Sequence, residues 1–228
     1  MSKRSALFAL AANAIGLAVG AAAIYATIIR PWHLRWGTLD DEADRALPGD
    51  ELVPNAKLCA THAVSIDAPI DRVWPWLVQI GQGRGGFYNY EFIENALGTD
   101  LHNIDRILPE YQDLKVGDQV PLAQGGFGIP VAILDVPRTL VLHGDTRLDP
   151  NGMPGLRPGD FFNVVWAWHL EPIDHLTTRV IERWLADWNP SAQNSVFMRA
   201  FLEPGAFIMS RKMLLGIKQR AERSALTG

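Results

Sequence analysis

The 228-residue sequence predicts an α+β fold, and three observations carry that prediction. Extended stretches follow one another through the second half of the chain instead of alternating with helices. Pro-containing turns divide those stretches into hairpins. A long helical segment, opened by Glu203 and Pro204 and rich in Lys and Arg toward its end, closes the chain, as the helix dipole favours.

The first element stands apart from the rest. Ser5 to Ile29 reads SALFALAANAIGLAVGAAAIYATII, twenty-five residues without a charge. At the α-helical rise this is enough to cross a hydrocarbon core of about 30 Å. Lys3 and Arg4 precede it, Arg30, His33 and Arg35 follow it, and Tyr25, Trp32 and Trp36 suit an interfacial belt. Residues 1–30 are therefore expected to be an uncleaved transmembrane anchor of a single-pass membrane protein. A cleaved signal peptide is the competing reading, with Ala21-Ala22-Ala23 as its small-residue site, but its apolar core would normally be only about 7–15 residues long. Flanking charge nearly balances across the segment, so the side of the membrane occupied by the remaining chain stays open.

Residues 31–57 read as a connecting arm, either a tether or a packed extension, with packing the expectation. Thr38 followed by Asp41 resembles a capping box that would open a short helix to about Ala46, and Leu47-Pro48-Gly49-Asp50 would end it. Residues 58–228 form the main domain. Ala60–Ile66 alternates as a strand. Pro69 then opens a helix carrying Val73, Trp74, Leu77 and Val78, with Pro75 expected to bend or shorten it. Tyr88–Leu97 forms a second helical stretch with Tyr90, Ile93, Glu94 and Leu97 on one face, and Val116-Gly117-Asp118 turns into a strand. The next extended stretches are Gly128–Val136, Thr139–Asp145, Phe161–Glu171 and Thr177–Asp187, and the closing helix covers Pro204–Arg223.

Composition excludes several function classes. A formal net charge of -4 offers no basic face for nucleic acid. Cys59, the single cysteine, rules out an intramolecular disulfide framework and a thiolate metal cluster. His102 and Asp105 alone make a weak metal signal, and no Gly-x-Ser-x-Gly elbow occurs, so neither a metal nor a cofactor is expected. The stretch IGQGRGGFYNYEFIENALG (80–98) does match the dinucleotide pattern at Gly81, Gly83 and Gly86, with Asp105 at the distance of a ribose-binding acid. That pattern needs a strand before it and a helix N-terminus after it. Here a Pro-containing helical segment precedes it and no βαβ unit follows. The glycines are expected to be a hinge between two short helices, bringing Tyr88 and Tyr90 toward a cavity.

Taken together, IDAPIDRVWPWLVQIGQGRGGFYNYEFIENALG (66–98), HNIDRILPEYQDLKVGD (102–118), EPGAFIMSRKMLLGIKQRAER (203–223) and LPGDELVP (47–54) resemble the SRPBCC superfamily. This is the START-like, helix-grip group, often labelled polyketide cyclase/dehydrase-like, and the chain is similar to a bacterial subgroup with an N-terminal hydrophobic segment. The resemblance implies a helix-grip fold: a curved antiparallel sheet wrapped around a long C-terminal helix, with a cavity between them. It implies no single activity, since the superfamily includes lipid carriers, ligand sensors, aromatase/cyclases and chaperone co-factors.

Strand periodicity gives an independent reading of such a cavity. One face of Phe161–Glu171 carries Phe162, Val164, Trp166, Trp168 and Leu170; one face of Thr177–Trp188 carries Val180, Glu182, Trp184, Ala186 and Trp188. These faces are expected to point inward. On the closing helix Ala206, Met209, Met213, Ile217 and Ala221 share a stripe, while Ile208 and Leu215 lie opposite, free to meet the arm or a bilayer. Candidate ligand-binding residues are thus Trp166, Trp168, Trp184, Trp188, Phe162, Val180, Met209, Met213 and Ile217, with plain core filling as the alternative for each. An inward Glu182 must be paired or neutral, with Arg106 a possible partner, and Glu182, Tyr88, Tyr90 and His102 are the acid–base candidates.

The leading expectation is a membrane-anchored domain that binds a hydrophobic small molecule, a lipid or polyketide-like compound. The alternatives are a cyclase/dehydratase-type enzyme using those acid–base residues, and a structural or chaperone-assisting module. No protein partner is specified by the sequence.

Overall fold

The computed structural model describes residues 13, 16, 17, 19–39, 41–96, 98–125, 127–149 and 159–226. Most of the first half of the expected anchor, including residues 5–12, lies outside the described residues. Residues 19–24 are helical and lead through a π-helical turn, Tyr25–Ile29, into α1 (Arg30–Leu34). Among the described residues no helix is long and apolar enough to cross a membrane.

Six strands build one curved antiparallel sheet: β1 (Leu58–Ile66), β2 (Gln119–Pro121), β3 (Gly128–Asp135), β4 (Thr139–Asp145), β5 (Phe162–Pro172) and β6 (Thr178–Trp188). Their order is β1-β6-β5-β4-β3-β2. The last four are successive hairpins, and β1 returns to the far side of β6, pairing Leu58 with Ala186 through Ile66 with Thr178. Between β1 and β2 lie α2 (Ile70–Val78) and α3 (Glu91–Ala96); after β6 come α4 (Ala192–Phe197), a π-helical turn (Met198–Leu202) and the long α5 (Glu203–Leu226). This is the α+β order that the sequence predicts.

Local chemistry explains most element boundaries. Pro69 is the extended residue just before α2, one position earlier than expected. Pro75 lies inside α2 without ending it, because Val73, Trp74, Trp76, Leu77 and Val78 all bury against the core and outweigh one lost backbone bond. At Gly216 a Cβ would stand 2.4 Å from the Tyr88 carbonyl oxygen, so only glycine lets α5 approach the α2–α3 connection this closely.

The sheet separates two unlike layers. Its inner face holds the main core, where Trp166 stacks on Trp184 at 4.7 Å and leans on Trp168 at 4.6 Å. Met213, Leu214, Ile217 and Ala221 of α5 complete that core. The outer face, left without a partner by strand parity, is covered by residues 37–56. Val53 packs on Val141, Val165, Ala167 and Leu185, and Leu47 on Ala63 and Ile181.

Two arginines of β6 fasten this cover. Arg179 grips both carboxylate oxygens of Glu42 at 2.7 and 2.6 Å and donates to the Gly37 carbonyl at 2.6 Å. Arg183 donates to Asp50 at 2.9 Å and to the carbonyls of Glu42 and Arg45 at 3.2 and 3.1 Å. The short helix expected after Thr38 is replaced by turns. Thr38 Oγ1 donates backward to the Arg35 carbonyl, and Glu42, held by Arg179, takes the Leu39 amide at 2.7 Å. The pull of a buried guanidinium thus overrides a local capping signal.

Candidate functional site

A cavity of about 370 Å³ opens between the inner face of the sheet and the first turns of α5. Leu58, Ala60 and His62 of β1, Ile129 of β3, Phe162 and Val164 of β5, and Trp184 and Ala186 of β6 form its floor. Leu202, Glu203, Ala206 and Phe207 roof it, and His33 and Leu34 of α1 close one side. The placement follows from side-chain size. Ala60, Gly144, Ala186 and Ala206 leave space at this end of the sheet, whereas Trp166, Trp168 and Met213 fill the other end solidly. The volume falls within the range of small-molecule sites, roughly 300–1,000 Å³, and the walls are mostly apolar.

Behind Trp184 lies a fully buried polar cluster. Glu182 is 0% exposed. Its Oε1 accepts from Trp166 Nε1 at 2.7 Å, Trp184 Nε1 at 3.2 Å and Ser210 Oγ at 3.0 Å. Its Oε2 lies 3.0 Å from His62 Nδ1, and His62 Nε2 lies 3.0 Å from the His33 carbonyl oxygen. Both ring nitrogens of His62 therefore face oxygens: Nε2–H donates to the His33 carbonyl, and a second proton lies between Nδ1 and the Glu182 carboxyl. The partner of Glu182 is His62, not Arg106, because antiparallel register sets His62 directly across from Glu182. That register is the signal by which His62 could have been found from the sequence. Ser210 lies on the α5 stripe between Ala206 and Met213 and carries no such signal of its own.

A second cluster fixes α1 on α5. The buried Glu203 carboxylate meets Arg30 Nε at 2.9 Å and His33 Nε2 at 3.5 Å. Burial, reinforced by the neighbouring positive groups His62 and Arg30, pushes His33 below its ordinary value and favours a neutral ring. Phe207 packs among Trp32, His33, Trp36 and His62, with ring centroids 5.3–6.4 Å apart.

The predicted residues divide by position. Of the nine ligand-binding candidates, Phe162 and Trp184 line the cavity. Trp166, Trp168, Trp188, Val180, Met213 and Ile217 are packed into the solid core, and Met209 is half-buried away from the lining. The acid–base candidates do not converge. Tyr88 is buried, its hydroxyl donating to the Trp76 carbonyl at 3.0 Å and accepting from Gln79 at 2.9 Å; burial raises its hydroxyl well above the ordinary range. Tyr90 lies beside Lys212, and exposed His102 stands 3.3 Å from Asp100. None of these three lines the cavity. The hinge glycines thus carry Tyr88 into the core beneath α5, not to a cavity entrance.

Around those glycines, the amides of Gly81, Gln82, Arg84, Gly85 and Gly86 donate to protein carbonyls, and Gly81 and Gly86 bridge each other. Those amides are engaged by the chain itself and do not form a phosphate cradle. Asp105 pairs with Arg220 at 2.6 Å. His143 meets Asn163 at 2.9 Å, and Asn163 in turn donates to the Leu52 carbonyl under the arm. Cys59 is exposed, since outward parity on edge strand β1 carries it clear of the inner core. Among the described residues no group of three His, Cys, Asp or Glu side chains is placed to hold a metal ion.

No protein-family profile and no curated protein matches the sequence. Solved structures with a similar arrangement include a Helicobacter pylori protein (14% identity, TM-score 0.49, 81% of this chain and 98% of that one). A conserved protein from Geobacillus kaustophilus is similar at 13% identity and a TM-score of 0.41, over 73% and 97% of the two chains. DynU16, a protein in the dynemicin biosynthetic locus, is similar at 11% identity and a TM-score of 0.36, over 68% and 45%.

Proposed function

We propose that this protein is a membrane-anchored helix-grip domain of the SRPBCC type that holds a hydrophobic small molecule between the sheet and the start of α5. The carrying observation is the cavity itself: about 370 Å³, lined mainly by small and apolar residues of five strands and roofed by Leu202, Glu203, Ala206 and Phe207. Polar residues of the lining are engaged within the protein: Glu203 with Arg30 and His33, His143 with Asn163, and Asp145 with Arg147. Trp184 Nε1 and both nitrogens of His62 are bound to Glu182, Ser210 and the His33 carbonyl. A ligand held here is therefore bound through apolar contact and shape, which favours an acyl, polyprenyl or fused-ring skeleton over a highly polar metabolite. The uncharged stretch from Ser5 to Ile29 supports anchoring in a membrane, where such molecules reside.

The test is uptake of a fluorescent fatty-acid analogue by delipidated full-length protein, with native mass spectrometry of gently extracted protein to detect a co-purifying molecule. Ala206→Trp would fill the cavity from the roof. The expected result is saturable uptake by the parent protein and at least about tenfold weaker uptake by the variant, the loss set by a filled apolar site. Equal uptake by both proteins, or none by either, would overturn the reading.

A further inference from the structure

An apolar face surrounds the roof of the cavity. Val196, Phe197 and Phe201 are 61%, 56% and 67% exposed, and the two Phe rings stack at 6.3 Å. Trp32, at 57%, and Ile28, at 64%, extend the face from the neighbouring segment. The two segments are tied together. Tyr25 donates to the Arg199 carbonyl at 3.2 Å, Arg30 binds Glu203, and Trp32 meets Phe207 edge-on at 5.5 Å. A face of this size and composition marks an interaction surface, not ordinary solvent exposure.

Three features identify its occupant. The face includes the last turns of the uncharged Ser5–Ile29 stretch, so a bilayer that holds that stretch lies against residues 196–202 as well. From Trp188 to Leu202 the sequence WNPSAQNSVFMRAFL holds one charged side chain, the exposed Arg199, and no acid. Aromatic rings beside an arginine suit the boundary between headgroups and acyl chains. Leu202 belongs to both places: it is 37% exposed at the edge of the face and also lines the cavity.

We propose that residues 196–202 form a lip that rests in the phospholipid interface and opens the cavity toward the acyl-chain region, so that the ligand is loaded from the bilayer. This rests on the anchored, ligand-binding reading above and adds a route and a surface to it. The π-helical turn Met198–Leu202 places the lip where α4 meets α5, directly over the roof residues Ala206 and Phe207.

The test uses the full chain in phosphatidylcholine vesicles whose acyl chains carry bromine. With Cys59→Ser as background, an environment-sensitive fluorophore is attached through Phe201→Cys, or through Ile173→Cys on the β5–β6 turn, which is also exposed. Quenching by bromine at position 201 is expected to exceed that at 173 at least about threefold, as for side chains lying roughly 5–10 Å into the interface. A second arm needs no label at the lip. Phe197→Ser with Phe201→Ser should slow uptake of the fatty-acid analogue from vesicles about tenfold, while uptake from a cyclodextrin donor stays unchanged, because only a membrane route uses buried apolar lip area. Protein that floats with the vesicles but shows equal quenching at both positions overturns the lip and leaves anchoring intact. Protein that does not float overturns both.

Discussion

The two faces of β6 put buried charge to different uses. Facing inward, Glu182 is surrounded by four donors from β1, β5, β6 and α5 and has no route to water. Facing outward, Arg179 and Arg183 hold Glu42 and Asp50 of the arm that covers this face. Opposite faces of one strand thus serve a closed network and an inter-segment clasp. The same ion-pair chemistry should therefore cost more to break inside than outside, because only the outer pair can be relieved by solvent.

The largest effect is expected from Glu182→Leu, which strands the donors of Trp166, Trp184, Ser210 and His62; urea unfolding should show a loss of about 3–5 kcal/mol. Glu182→Gln, keeping shape and one acceptor, should lose less than half of that. Acid attacks the other face. His169, buried among the outward residues of β5, is pushed down from 6.5 to about 4 by burial, with Arg183 and Arg45 adding to the effect. Below pH 6.5 the unfolded chain takes up a proton that the folded chain refuses until about pH 4. Stability should therefore fall between those values by about 3 kcal/mol, and His169→Gln should flatten that slope in unfolding curves measured across it.

Arg179→Met should cost less, about 2 kcal/mol, because Glu42 can swing into water. Its signature is protease cleavage between residues 38 and 56 well before global unfolding, and Arg179→Met with Glu42→Leu should recover part of the loss. Early arm cleavage with a global loss near the expected value would strengthen the clasp interpretation; a loss equal to that of Glu182→Leu would erase the contrast between the faces. The smallest effect is expected at Ile173→Ser on the exposed β5–β6 turn, within about 0.5 kcal/mol.

Strand positions and facing were legible in the sequence because β5 and β6 alternate over eleven residues each and the inward residues on them are apolar except Thr178 and Glu182. What escaped was long-range. The outer set Ile181, Leu185 and Val165 reads as half-polar alternation, and only the arm makes it a second core. A lone histidine in ATHAVSI has meaning only when β1 is set in register against β6, which brings His62 opposite Glu182. The cavity lay nearer the start of α5 than the helical stripe implied. Small residues create space, and no periodicity distinguishes an alanine that lines a void from one that packs against a neighbour. AQNSVFMRAFL (192–202) lacks the spacing of a core-facing helix: Met198 packs into the core while Val196, Phe197, Phe201 and Leu202 are exposed.

The bond from His62 Nε2 to the carbonyl of His33 joins a sheet residue to the segment leading back toward the N-terminus. Arg30 and His33 join that same segment to the first residue of α5. Floor and roof are thus both bolted to one short helical turn. The two walls of the pocket therefore share one fastening, and a change at Arg30 or His33 would bear on both at once.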